Sequence, residues 1–223
     1  AVITIIGTAT VVNIAYASNS INGLGNETII LTDTTLAAAN LNTLDSNTTG
    51  VINAATITSL TGTFTEIISV YSTSGIVGVG DENVIATGAL TVAQANTINA
   101  LTTGVITATI STTAIADLDD LTGTGNAYTI TVATTDVTAT ALKAVDAATT
   151  VSVTVTDVTN ITGSRTDLAD VYGGGFTDLG NETITVSDSI TSAQANTIDG
   201  YTTGAVTATI STTAIADLDD LTG

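Results

Sequence analysis

The chain repeats its own sequence. The segment from Thr107 to Gly123, TATISTTAIADLDDLTG, returns unchanged at 207–223. A fixed period of this kind is the signature of a tandem array, in which each repeat is a small unit that cannot bury its apolar side alone. A chain with this pattern is therefore expected to stack its units rather than to fold around one irregular core.

The long period divides into shorter units. Strand-like starts lie near Ala1, Glu27, Val51, Glu82, Val105, Ala127, Val151, Glu182 and Ala205. The spacings between these starts recur in the same order after four units, which predicts superrepeats over about 24–123 and 124–223. No change of composition marks a domain boundary, so we predict a single continuous array over residues 1–223.

Within a unit, the hydrophobic period changes from two to about 3.6. Tyr128, Ile130 and Val132 alternate with threonines, as expected of a half-buried strand. Thr91 and Gln94 fit the capping box that begins a helix. The predicted fold class is a solenoid of about nine units of 22–31 residues, with stacked parallel β-strands and short helices or turns in each coil. Both a right-handed β-solenoid and an α/β solenoid satisfy the pattern.

The two longest units begin at Val51 and Val151. They hold the only phenylalanines of the chain, Phe64 and Phe176. We predict that both lie in glycine-rich extra loops that project from one side of the array.

The net charge of -19 narrows the range of partners. Twenty-one acidic residues are balanced only by Lys143 and Arg165. A surface this acidic repels nucleic acid and anionic membranes, because binding to phosphates requires cationic side chains. No run of 18 apolar residues occurs, so the chain is not expected to span a membrane.

Two identical acidic clusters are the best candidates for catalysis. They consist of Asp117, Asp119, Asp120 and of Asp217, Asp219, Asp220. Paired carboxylates can act as acid and base in glycoside cleavage. However, the chain has no histidine or tryptophan, and only one arginine, to hold a substrate beside them. We therefore expect a protein that is not an enzyme.

Oxygen-rich turns favour calcium, and no other cofactor is expected. The residues predicted to bind the ion are Asn26, Glu27, Asp81, Glu82, Asn181 and Glu182. Carboxylate and amide oxygens are the ligands that calcium prefers. These turns resemble the nonapeptides of calcium-binding β-rolls in residue type, but they recur at a far longer interval, so neighbouring turns are not expected to share an ion.

Outward-facing threonine pairs are the third candidate. They are Thr107, Thr109, Thr129, Thr131, Thr154, Thr156, Thr183, Thr185, Thr207 and Thr209. Stacked in register, these pairs would form a flat lattice of hydroxyl groups, similar to the arrays of ice-binding solenoids. The alternative is that threonine is simply a good residue for an exposed strand position.

Blocks such as Ala89 to Asn96 and Thr102 to Ile110 resemble the Thr-, Ala- and Asp-rich repeat arrays of large secreted bacterial surface proteins. This family includes S-layer components, giant adhesins and fibre or sheath proteins, many of them cyanobacterial. The resemblance implies an extracellular or cell-surface structural protein that assembles with copies of itself. The alternative is an adhesin-type repeat region that binds carbohydrate, mineral or ice through its threonine face and inserted loops.

Overall fold

The structure is a computed structural model, and it describes residues 3–18, 20–212 and 214–222. The predicted first start at Ala1 and the last residue of the second repeat, Gly223, lie outside these ranges. The chain divides into two compact units, Ala1–Thr109 and Ile110–Gly223. The two units are described separately below.

The described part of the first unit alternates short strands with short helices. The strands are β1 (Thr4–Gly7), β2 (Thr28–Leu31), β3 (Thr35–Ala37), β4 (Ile52–Asn53), β5 (Ser59–Gly62), β6 (Ile76–Val77), β7 (Asn83–Ala86) and β8 (Ile106–Thr109). The helices are α1 (Ala9–Ala17), α2 (Ala38–Asn47), α3 (Phe64–Ser72) and α4 (Val92–Asn99).

The strand pairs within the first unit are parallel. One sheet has the order β1, β2, β4, β6, and a second contains β3, β5, β7 and β8 in that order. The register places apolar residues in columns across the strands. In the second sheet, Leu36, Leu60, Val84 and Ile106 are successive partners and all are buried. Such columns are the core of the unit, because each residue is covered by the same position of the next strand.

The described part of the second unit is built from the same kinds of elements. Its strands are β9 (Ala127–Thr129), β10 (Asp136–Thr138), β11 (Val153–Thr154), β12 (Asn160–Gly163), β13 (Phe176–Thr177), β14 (Thr183–Ile190) and β15 (Val206–Ile210). Its helices are α5 (Ile115–Leu118), α6 (Ala139–Ala148), α7 (Arg165–Tyr172), α8 (Ser192–Asp199) and α9 (Ile215–Leu218).

The second unit also pairs its strands in parallel. Its larger sheet has the order β10, β12, β14, β15, and β11 pairs with β13. Val137, Ile161 and Ile184 are buried partners in successive strands. The structure thus confirms parallel strands with short helices, an α/β arrangement.

The predicted strand and helix signals are confirmed where they were strongest. Tyr128, Ile130 and Val132 are buried as predicted, although the strand β9 itself ends at Thr129. A capping box begins α4. The Thr91 hydroxyl accepts from the Gln94 backbone amide at 3.2 Å, and the Gln94 side-chain oxygen accepts from the Thr91 backbone amide at 3.0 Å. Each such cap contributes about 1 kcal/mol to helix stability.

The predicted extra loops around the phenylalanines are wrong. Phe64 is the first residue of α3, and Phe176 lies in β13. A capping box formed by Thr63 and Glu66 begins α3 and turns the expected loop into a helix. In the second unit, the Ser164 hydroxyl accepts from the Asp167 backbone amide and caps α7.

The strand register also corrects the two longest predicted units. After the starts at Val51 and Val151, the next starts were predicted at Glu82 and Glu182. However, Ile52 pairs with Ile76, and Val153 pairs with Phe176. Each long unit therefore contains the partner of its own first strand, before the point where the next unit was predicted to begin.

None of the described helices is both long and apolar enough to cross a membrane.

Candidate functional site

Three turns of the chain each bury a glutamate. We call residues 25–27, 80–82 and 180–182 the Glu–Tyr turns. Their glutamates, Glu27, Glu82 and Glu182, are at most 1% exposed. A buried carboxylate is costly unless it is hydrogen-bonded, so its partners determine what each turn can do.

The first partner of each carboxylate is a backbone amide of its own turn. The amides of Gly25, Gly80 and Gly180 donate to the glutamate two residues later, at 2.7, 2.8 and 2.9 Å. All three glycines have a φ between 123° and 133°. This conformation suits glycine and is strained for other residues, which explains why the glycine recurs.

The second partner is a tyrosine from a preceding helix. Tyr16 of α1, Tyr71 of α3 and Tyr172 of α7 donate their phenol groups to Glu27, Glu82 and Glu182, respectively. The oxygen–oxygen distance is 2.7 Å for Tyr16 and 2.9 Å for Tyr172. Each glutamate therefore ties the end of a helix to the turn that follows it.

The backbone of each glutamate is held from the other side by a threonine. The hydroxyls of Thr48, Thr102 and Thr202 donate to the glutamate carbonyls at 3.2, 2.7 and 2.6 Å. Two residues after each threonine is a glycine, and a Cβ atom on Gly50, Gly104 or Gly204 would overlap the glutamate carbonyl. The recurring Thr-Thr-Gly sequence is thus needed for close contact with the Glu–Tyr turn.

A fourth turn shows what replaces this arrangement. The Thr149 hydroxyl donates to the carbonyl of Tyr128 at 2.8 Å, so Tyr128 occupies the position of the glutamate. Its side chain is fully buried, and among the described residues no group bonds its hydroxyl. Val151 stands here where the other copies have glycine. Opposite Tyr128, this position therefore accommodates a side chain.

Charges and pKa values follow from these contacts. The hydrogen bond from the Gly25 amide lowers the pKa of Glu27 below its ordinary value, and the hydrogen bond from the Tyr16 hydroxyl lowers it further, although burial opposes both. Burial, with the hydrogen bond to the glutamate, raises the pKa values of Tyr71 and Tyr172. Burial alone raises the pKa of Tyr128 to about 12.

These raised values predict alkaline unfolding. Tyrosines in the unfolded chain lose a proton at about pH 10, whereas Tyr71, Tyr128 and Tyr172 stay protonated at that pH in the folded chain. Their contribution to stability is therefore complete below the unfolded pKa and is lost as the pH rises through the higher folded values. We expect tyrosinate absorbance and loss of the circular dichroism signal to appear together. Ionisation of most tyrosines near their unfolded pKa in a chain that keeps its full signal would contradict this.

The predicted calcium ligands differ in their exposure to solvent. Asn26, Asp81 and Asn181 are exposed, whereas the glutamates beside them are buried and engaged by the donors described above. Within the described ranges, no three acidic side chains approach closely enough to hold a metal ion. Calcium binding by these residues stays a prediction.

The predicted threonine pairs lie on several strands. Thr131 and Thr154 form an isolated parallel bridge, and Thr185 is the partner of Thr207. Thr183 pairs with Asn160 instead of a threonine. The remaining five predicted positions are all exposed, and they are Thr107, Thr109, Thr129, Thr156 and Thr209. Binding of ice or mineral by these hydroxyls stays a prediction.

Sequence reasoning missed a threonine row in the second unit. Thr138, Thr162, Thr185 and Thr207 are successive partners on β10, β12, β14 and β15. Beside it, the Asn160 amide donates to Asp136 at 3.3 Å and the Thr183 hydroxyl donates to Asn160 at 3.0 Å. Only the strand register reveals which threonines meet.

The two acidic clusters lie at two short helices. Asp117 is in α5 and Asp217 is in α9, and both residues are exposed. The Asp217 carboxylate accepts from the Thr212 hydroxyl at 2.8 Å. This places Asp217 in a local hydrogen bond at the start of a helix, a common role for aspartate.

Comparisons with known proteins give no relative of this chain: no protein-family model, curated protein or solved structure matches it.

Proposed function

We propose that this chain is a repeat region of an extracellular structural protein, such as a surface layer, filament or sheath, that assembles with copies of itself. In this proposal, the parallel strands of each unit stack as successive coils of a right-handed solenoid. Residues 28–47 carry β2, β3 and α2, and residues 52–72 carry β4, β5 and α3. Since β4 pairs with β2 and β5 with β3, the second run lies on the first, strand on strand.

One observation carries the proposal. The identical segments 107–123 and 207–223 bury their apolar side chains to different extents. Ile115, Leu118 and Leu121 are 8%, 0% and 9% exposed. The matching Ile215, Leu218 and Leu221 are 76%, 37% and 42% exposed.

The difference has a simple physical cause. In the first copy, α5 contacts α6 of the repeat that follows it. Burying a leucine or isoleucine contributes about 1.5 to 3 kcal/mol, so the second copy gains free energy when another repeat, of the same chain or of a second chain, covers it.

The proposal predicts self-association that depends on Leu221. Sedimentation velocity of the 223-residue chain should show oligomers that grow with concentration and with salt, because salt screens the repulsion between chains of net charge -19. Leu221→Asp should shift this distribution towards the monomer. The control Val105→Asp, at a residue of nearly equal exposure, should leave it unchanged.

A monomer at every concentration and salt level would overturn the proposal. Oligomers that persist in Leu221→Asp would show that another surface is responsible. Negative-stain images of the oligomers should show fibres or sheets rather than irregular aggregates.

A further inference from the structure

A cavity of about 610 Å³ opens in the second unit, between the segment that follows β11 and the turn that follows β13. Thr156, Val158 and Thr159 line it from the first segment, and Asp178, Leu179, Gly180 and Asn181 line it from the second. This volume lies within the range of ligand pockets in proteins, about 300 to 1,000 Å³.

The first unit shows the same place in a closed form. Ile52 pairs with Ile76 as Val153 pairs with Phe176, so Ala55 matches Thr156 and Gly78 matches Asp178. In the first unit, a Cβ atom on Gly78 would lie 2.8 Å from the Ala55 Cβ and 2.9 Å from its amide nitrogen. The turn and the segment are therefore in direct contact there, with no room for a side chain.

The second unit carries larger, polar residues at both of these positions. Asp178 has a φ of 70°, and it is the sole residue other than glycine with a positive φ in the part of the chain that the structure describes. Aspartate tolerates this conformation better than most residues but still at a cost in free energy. The second unit therefore has aspartate where the first unit has glycine, and threonine where the first unit has alanine. Departures from a local sequence rule of this kind are typical of functional sites.

The lining has the chemistry of a site for hydroxyl groups. Within the described ranges, the side chains of Thr156, Asp178 and Asn181 form no hydrogen bond or ion pair, while the Thr159 hydroxyl donates to the Thr135 carbonyl at 3.3 Å. One carboxylate, one amide and two hydroxyls offer both donors and acceptors. Leu179 adds apolar surface between them.

The charges select the ligand class. No cationic side chain is among the described residues that line the cavity, and the chain carries a net charge of -19, so an anionic ligand is disfavoured. Calcium takes about six to eight oxygen ligands, often from several carboxylates, and the described lining supplies a single carboxylate. A neutral sugar fits better, because its hydroxyls can pair with the carboxylate and the amide while its C–H face packs on Leu179.

We propose that the cavity between Thr156 and Asp178 binds a neutral carbohydrate segment. The first test is an array of immobilised neutral and acidic oligosaccharides, followed by isothermal titration calorimetry with the neutral oligosaccharide that gives the strongest signal. Binding to neutral members is the expected result. Signals confined to acidic members, or no signal at all, would overturn the proposal.

The second test uses the residues of the first unit. Asp178→Gly and Thr156→Ala each introduce the residue found at the matching position of the first unit, and each should weaken binding about tenfold, the loss expected for a hydrogen bond to a charged or well-placed polar group. Asp81→Asn, a change in the corresponding turn of the first unit, should leave the affinity unchanged. Unaltered affinity in both cavity variants would overturn the proposal.

The same variants distinguish calcium binding from sugar binding. A calcium-dependent rise in melting temperature that Asp178→Gly abolishes, without sugar binding in the parent chain, would assign the cavity to the ion and contradict the proposal. Because Leu221 does not line this cavity, the cavity variants should still self-associate like the parent chain. Failure of carbohydrate binding is thus distinguishable from failure of the proposed assembly.

Discussion

Replacing Gly104 by valine should unfold the first unit or destabilise it by about 3 kcal/mol or more. A Cβ atom at this position would overlap the carbonyl group of Glu82 and lie 2.7 Å from the Asn83 amide nitrogen. Both are backbone atoms, so no side-chain rotation can relieve the overlap. The two segments must separate, which breaks the hydrogen bond from Thr102 to the Glu82 carbonyl.

Urea unfolding followed by circular dichroism measures this effect. Gly88→Ala is the matched control, because a Cβ atom at Gly88 meets nothing within 4 Å. We expect the control to differ from the parent chain by less than about 0.5 kcal/mol. Equal free energies of unfolding for Gly104→Val and Gly88→Ala would mean that the Thr-Thr-Gly segment does not lie against the glutamate turn.

Replacing Glu82 by alanine should cost about 3 kcal/mol of unfolding free energy, because the Gly80 amide and the Tyr71 hydroxyl then lose their acceptor in a buried place. Tyr71→Phe should cost about 1 to 2 kcal/mol, since it removes one donor from the carboxylate. The two residues touch, so their effects should not add.

A double-mutant cycle tests that contact. The variant that carries both Glu82→Ala and Tyr71→Phe should be more stable than the sum of the single changes predicts, by about 1 kcal/mol. Asp81→Ala, next to the glutamate but exposed, is the control and should be close to neutral. Strict additivity of the two changes would rule out the hydrogen bond between Tyr71 and Glu82.

The elements that sequence reasoning found are those with local signals. The capping residues of α4 and the alternating burial around Tyr128 are determined by neighbours in the chain, and the structure confirms them. The helix α3 was missed even though Thr63 and Glu66 form a capping box, because Gly62 and Gly75 on either side made the segment resemble a loop.

The candidate sites were harder to predict, since they depend on contacts between distant residues. Glu82 could be placed in a turn, but whether its carboxylate faces solvent or the core is decided by Tyr71, 11 residues away, and by strand register. A signal was present: a tyrosine precedes each of the three glutamates by 10 or 11 residues. The cavity beside Asp178 had no such signal, because only the comparison of matched positions in the two units reveals it.

Each of the three Glu–Tyr turns is closed by a buried carboxylate of the chain itself. The amide proton chemical shifts of Gly25, Gly80 and Gly180, measured by nuclear magnetic resonance in calcium-free buffer, test this most directly. An amide that donates to a carboxylate is expected well downfield, and Glu82→Gln should move the Gly80 signal upfield while those of Gly25 and Gly180 stay in place. Glycine amide signals that have the chemical shifts of an unstructured chain, and that move downfield only when calcium is added, would contradict this closure.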